Sequence, residues 1–181
     1  MGENNQAQLS KKWIIAALLQ LLEKKPYSEI TITEITKKAG VARLTFYRNF
    51  DSKDQILLTR SEELFQEYLA EIKQSQETID IRQALLHCFE YWQKDARTMD
   101  LLIKNNLVYL IEQPFYTFLE EILAEIPDLK NLNDIQKKFI LGGITRTMLD
   151  WISNGSTQSA AQVTEAILTL IDLDHLIKNE Q

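Results

Sequence analysis

Apolar residues recur along this chain at helical spacing almost throughout. From Lys11 to Lys24, the residues Trp13, Ile14, Ala17, Leu18, Leu21 and Leu22 return every three or four positions, which predicts an amphipathic helix with one buried face. Ser10 stands where an N-cap belongs, Lys24 and Lys25 suit the C-terminal end, and Pro26 stops the helix. Thr31 and Glu34 have capping-box spacing. They predict a short helix over about Ile32–Ala39, with Ile32, Ile35 and Ala39 inward. Gly40 follows, where the chain needs a left-handed residue that only glycine adopts cheaply. A second short helix should cover about Arg43–Asn49, with Phe46 and Phe50 facing a small core together with Val41. Two short helices joined by a glycine turn are a helix-turn-helix, whose second helix enters the DNA major groove.

Ser52 with Gln55 repeats the capping spacing, so a long helix should open near Lys53 and reach about Gln74. The stretch QSQET breaks the pattern. Further helices are expected over Ile79–Asp95, Thr98–Asn105, Leu107–Ile126, Leu132–Asn154 and Ala160–Ile177, with Pro114 kinking the third of these. Gly142 and Gly143 lie mid-helix, where each costs roughly 1 kcal/mol relative to alanine. Keeping both suggests that another backbone comes close. Phe139, Ile140, Ile144, Met148, Leu149, Trp151 and Ile152 spread over more than one face of that helix, so it should be buried on both sides. The expected fold is all-α with about nine helices. A three-helix helix-turn-helix domain covers residues 1–54, and a helical bundle for ligand binding and dimerisation covers 55–181.

Charge supports the split. The net charge of −6 argues against nucleic acid if taken whole. Residues 1–60, however, hold ten Lys/Arg against six Asp/Glu, or +4, and residues 61–181 hold ten against twenty, or −10. A basic half beside an acidic half points to phosphates as the partner of the first. On the second short helix, Arg43, Thr45, Tyr47, Arg48 and Asn49 lie toward the open side. Arginine can read guanine and asparagine adenine, so Arg43 and Asn49 are the base-reading candidates, with Thr45 a third. Thr33, Tyr47 and Lys53 are candidates for holding phosphates, Lys53 because it sits at a helix N-terminus. The plainer alternative is a helical hairpin with a solvated basic face.

The run AGVARLTFYRNFDSKDQI resembles the TetR family of bacterial regulators, through Ala39, Gly40, Val41, Arg43, Thr45, Phe46, Tyr47, Phe50, Ser52 and Lys53. Two residues depart from that pattern. Leu44 stands where a small residue is usual, and Arg48 where an aromatic is common. Leu44 could touch a thymine methyl, but packing on the first helix is the expectation. The resemblance implies a homodimeric repressor of a double-stranded, near-palindromic operator, tuned by a small-molecule effector that changes the spacing of two reading helices. It also implies that the last two helices form a four-helix bundle with a twofold mate, here through Gly142, Gly143, Arg146, Met148, Ile167 and Leu170. Trp151, Gly155 and Ser159 resemble the C-terminal domain of a Firmicutes-type branch that includes an activator, which leaves the sign of regulation open.

Tyr91, Trp92, Tyr109, Phe115 and Tyr116 are the preferred lining of an effector cavity near Pro114. A filled aromatic core is the alternative. His87 and Cys88 are neighbours that point apart on a helix, and His175 is isolated, so neither a metal nor a cofactor is expected. Asp172, Asp174 and Glu165 read as solvated charge. No nucleophile–base pair or phosphate loop stands out, so an enzyme is not expected. No apolar run is long enough to span a membrane, MGENNQAQLSKK lacks a signal-peptide core, and the lone Cys88 suits a reducing cytoplasm. Two rivals remain in view: a regulator without a small-molecule ligand, acting through a protein partner or as an activator, and an enzyme or carrier on a helical bundle.

Overall fold

The computed structural model describes residues 2–74, 80–126, 129 and 132–171. Among these residues there are nine α-helices, no strand and, after the first helix, a 3-10 turn. The helices are α1 (Gly2–Leu22), α2 (Ile32–Ala39), α3 (Arg43–Asn49), α4 (Lys53–Gln74), α5 (Ile81–Lys94), α6 (Ala96–Lys104), α7 (Tyr109–Glu125), α8 (Asp134–Ser153) and α9 (Ala160–Leu168). The 3-10 turn, Tyr27–Glu29, links α1 to α2. The chain divides into two compact units, Met1–Leu64 with Leu101–Glu112, and Phe65–Asp100 with Gln113–Gln181. The first unit therefore runs past the boundary expected after residue 54, because the first turns of α4 bury Ile56 and Leu57 within it.

In the first unit, α1, α2 and α3 pack around Ile14, Leu18, Ile30, Ile35, Phe46 and Phe50, all essentially inaccessible. α2 starts on a full capping box: Thr31 Oγ1 accepts from the Glu34 N–H at 3.3 Å, and Glu34 Oε2 accepts from the Thr31 N–H at 3.0 Å. It ends at Gly40, whose φ of +68° is left-handed. α1 differs from expectation at its start. It begins at Gly2, and the Ser10 hydroxyl donates to the Gln6 carbonyl at 2.9 Å, so Ser10 lies inside the helix and does not cap it. Trp13 is 50% exposed. The buried seam runs through Ile14, Ala17, Leu18 and Leu22, and Trp13 stands one position, about 100°, off it.

In the second unit, three capping boxes open α5, α8 and α9, on Asp80–Gln83, Asn133–Gln136 and Ser159–Gln162. Each pairs a short polar cap with a glutamine amide. Trp151, Gly155 and Ser159 turn out to build the α8–α9 corner. Gly155 closes α8 with φ +73°, the Trp151 indole N–H donates to the Gln158 carbonyl at 2.9 Å, and Ser159 caps α9. Glu165, expected as solvated charge, pairs with Arg82. Helix α7 passes through Pro114 without a break. α9 is described to Leu168, short of the expected Ile177; Asp172, Asp174 and His175 lie outside the described residues, as does Ile79.

Glu34 makes the α2 cap sensitive to acid. Its hydrogen bond with the Lys25 ammonium, at 2.6 Å, and then its bonds to Thr31 lower its carboxyl from 4.5 to about 2. The unfolded chain holds that proton at the ordinary value, so the stabilisation is complete above about pH 4.5 and drains as pH falls toward 2. In urea titrations at descending pH, Glu34→Gln should be less stable than wild type near neutrality and should lose less stability across that window.

Candidate nucleic-acid interface

α3 is a seven-residue helix with no side-chain cap at Ala42. A helix that short does not hold itself together in water. Phe46 and Phe50 fix it from below, at 0% and 1% exposure, with ring centroids 6.1 Å apart. That seating leaves Arg43, Leu44, Tyr47 and Arg48 exposed, and Thr45 and Asn49 half-buried. The Arg43 guanidinium donates to the Tyr47 hydroxyl at 3.2 Å and lies 5.6 Å from its ring centroid. The two side chains thus present one donor-rich surface. Asn49 Nδ2 donates to the Thr45 carbonyl at 2.7 Å, which leaves its oxygen and a second N–H for other partners. Leu44 is 64% exposed, so the expected packing on the first helix does not occur. It stands among the outward residues of α3.

The flanking candidates are placed less uniformly. Thr33 is exposed on α2. The Lys53 ammonium donates to the carbonyls of Tyr27 and Ile30, at 2.9 and 2.6 Å, and lies 4.2 Å from the centre of the Tyr27 ring. Burial lowers its pKa, and two of its three N–H donors are engaged. Tyr27 and Asn105 escaped sequence reasoning. The Tyr27 N–H donates to Asn105 Oδ1 at 3.0 Å, and its hydroxyl donates to Asp54. Burial and then the Asp54 bond push the phenol pKa upward. Asn105 lies 78 residues from Tyr27, so no local pattern could have paired them. It follows α6, which is closed by Asn106 at φ 56°.

The effector candidates do not form one group. Tyr109 is 62% exposed and belongs to the first unit. In the second unit, Trp92 and Phe115 are buried in a cluster with Phe65 and Phe118, with centroids 4.8 to 6.2 Å apart. Tyr91 packs on Tyr68 at 4.8 Å. Tyr116 reaches α8, where its hydroxyl stands 3.7 Å from the position a Cβ on Gly142 would take. Among the described residues, nothing outside α8's own local backbone lies within 4 Å of the corresponding point at Gly143. Among the described residues, no backbone from another element makes the close approach expected at this glycine pair. Met148 is buried at 1% exposure, Ile167 is half-buried, and Arg146 is exposed in a two-pronged pair with Asp150 at 3.0 and 3.1 Å. Leu170 is 85% exposed, and Ile135 and Phe139, one turn apart on α8, are 81% and 83% exposed. Among the described residues no helix is long and apolar enough to cross a membrane, and no group of three metal-ligating side chains is found.

Comparison with known proteins follows the same division. The family model described as bacterial regulatory proteins of the tetR family matches residues 14–59. One described as a transcriptional regulator C-terminal region matches residues 79–173. Among curated proteins, the HTH-type transcriptional regulator EthR of Mycobacterium tuberculosis is 44% identical over 46 residues, which are 25% of this chain and 21% of EthR. The match thus spans about a fifth of that relative's length. Among solved structures, the dihydroxyacetone kinase operon activator DhaS superposes with a TM-score of 0.64 at 21% identity, over 93% of this chain and 96% of the other. FadR of Bacillus subtilis, solved with stearoyl-CoA, superposes with a TM-score of 0.57 at 19% identity, over 94% and 99%. At those identities the likeness is one of fold.

The two carbonyl bonds give Lys53 a structural part that can be measured without DNA. Lys53→Met should lower the unfolding free energy by about 1–2 kcal/mol in urea titrations, since bonds from a charged donor contribute on that scale and this one is half-exposed. A stability equal to wild type would leave Lys53 with no such part.

Proposed function

This chain belongs to the TetR family of bacterial transcriptional regulators, and we propose that it binds a near-palindromic operator as a homodimer in the cytoplasm, with its affinity set by a small-molecule effector. The observation that carries the DNA reading is the α3 surface, where two buried phenylalanine rings hold the helix and turn Arg43, Tyr47 and Arg48 outward, with Asn49 half-buried beside them. Arg43 and Asn49 read bases, with Thr45 and the exposed Leu44 beside them, Leu44 suited to a thymine methyl. Thr33, Tyr47 and the remaining donor of Lys53 hold phosphates.

The dimer reading rests on exposed apolar surface. Ile135, Phe139, Gly143 and Arg146 fall on one face of α8 at four-, four- and three-residue spacing, and Leu170 lies just past α9. A face with two large side chains more than 80% exposed, and an open glycine between them and an arginine, suits a self-complementary twofold contact. A twofold pair sets two α3 helices about one DNA turn apart.

For the effector, the ring cluster around Trp92 and Phe115 is the proposed site, with Tyr91 and Tyr116 beside those residues on α5 and α7, and a ligand would enter by parting the rings. The FadR structure of similar fold holds stearoyl-CoA. A ligand acts only through its difference in affinity for the two conformations. A second reading, in which a protein partner replaces the small molecule or the chain activates transcription, is favoured by how closely those rings pack on one another. DhaS, of similar fold, is named as an operon activator.

Selection of bound sequences from random DNA at stated salt tests the operator. The expected product is two inverted half-sites about one turn apart, and recovery of no enriched sequence would count against the reading. Arg43→Ala should weaken binding to the selected site by about 1–3 kcal/mol and relax preference at one base pair in each half-site. Phe139→Glu should yield monomers by sedimentation velocity while leaving the circular dichroism spectrum unchanged. A variant that remains dimeric would move the interface elsewhere.

A further inference from the structure

We propose that the trough between α1 and α2, bounded by Trp13 and Lys38, docks an acidic amphipathic helix of a partner protein. The proposal goes beyond the DNA-binding reading and does not depend on it. Trp13 is 50% exposed, and Leu9, one turn before it on α1, is 42% exposed. Ala16 and Gln20 continue the stripe and are exposed as well. Spacings of four, three and four residues keep these side chains on one face for about 16 Å of helix. The core seam of α1 runs through Ile14, Leu18 and Leu22, which leaves half of the Trp13 surface in water. Covering that surface is favourable for any partner that brings apolar area of its own.

The lining narrows the partner's chemistry. Trp13, Ala16, Ala17 and Gln20 from α1, with Lys38 and Ala39 from α2, surround an open trough of about 290 Å³. Ala16, Ala17 and Ala39 leave room that longer side chains would fill, and the Trp13 indole is the large apolar group beside them. One bulky apolar side chain laid over the alanines would cover the indole, and tryptophan is the residue type that most often anchors such contacts. The lining carries an ammonium, from Lys38, and no carboxylate. Lys37 and Lys38 occupy the last turn of α2, and both are exposed. The matching charge is a carboxylate on the occupant, about one helical turn from its apolar anchor. The length of the stripe from Leu9 to Gln20 suits a helix laid along α1, with anchors at three- and four-residue spacing. No residue of α3 lines the trough, so the occupant needs none of the reading side chains.

The test selects binders of the full chain from a displayed library of random helical peptides, without DNA, so its result is separate from the operator selection. The expected winners carry a bulky apolar residue with Asp or Glu three or four positions away. Trp13→Ala should weaken a selected peptide by about tenfold or more, the scale of a tryptophan hot spot. Ala16→Arg, which fills the trough and keeps the indole, should do the same. Circular dichroism and thermal unfolding first establish that each variant is folded. Selection repeated on Lys38→Glu should return basic peptides in place of acidic ones. Trp92 and Trp151 are 3% and 6% exposed, so acrylamide quenching of fluorescence reports mainly on Trp13, and bound peptide should shield it. No enriched sequence, or winners indifferent to Trp13→Ala and Ala16→Arg, would overturn the proposal. So would winners of unchanged charge on Lys38→Glu. Shielding of Trp13 by raised protein concentration alone would give this face to a second copy of the chain. Shielding by duplex DNA would give it to the nucleic acid, and either result replaces the partner helix.

Discussion

Everything exposed on the DNA-facing side depends on a small apolar seat. α3 has seven residues, an alanine at its N-cap and no side-chain bond to close its first turn. Isolated helices of that length are unstable in water. Phe46 and Phe50 supply the missing stability by filling the space between α1, α2 and α3 with almost no solvent contact. Burying an aromatic ring contributes a few kcal/mol, more than any single cap or surface pair could. The same two rings fix the rotation of the helix, so the outward direction of Arg43, Tyr47 and Arg48 follows from which residues face inward.

The sequence was most legible where the determinants are close together in it. The Thr31–Glu34 box, Gly40 and the Phe46/Phe50 pair fall within twenty-odd residues, and the bounds of α2 and α3 follow from them. Ser10 misled because a serine before an apolar seam has the composition of a cap, yet inside a helix its hydroxyl can return to the carbonyl four residues back. Trp13 misled because three- and four-residue spacing tolerates a residue at the edge of the seam. Leu44 was assigned a neighbour by hydrophobicity alone, although a single exposed leucine needs none.

What stayed hidden joins distant parts of the chain. The Tyr27–Asn105 bond and the cradle around Lys53 each need residues that only folding brings together. The first unit is itself such an object, since residues 101–112 return to it after a long excursion. In the second unit, the glycine pair on α8 was conspicuous as an anomaly, but its surroundings were not readable. Gly142 lies under Tyr116, while Gly143 opens to solvent.

Leu44 gives the reading surface a thermal character of its own. Guanidinium groups that meet phosphates gain affinity through released counterions, and salt is their main control. A leucine side chain left 64% in water in the free protein adds a term of another kind when a partner covers it. That term arises from apolar hydration, so it lowers the heat capacity on association and changes in strength with temperature rather than with ionic strength. A partner covering this surface would therefore meet two independent physical controls, carried by Leu44 and by the cationic residues beside it on α3.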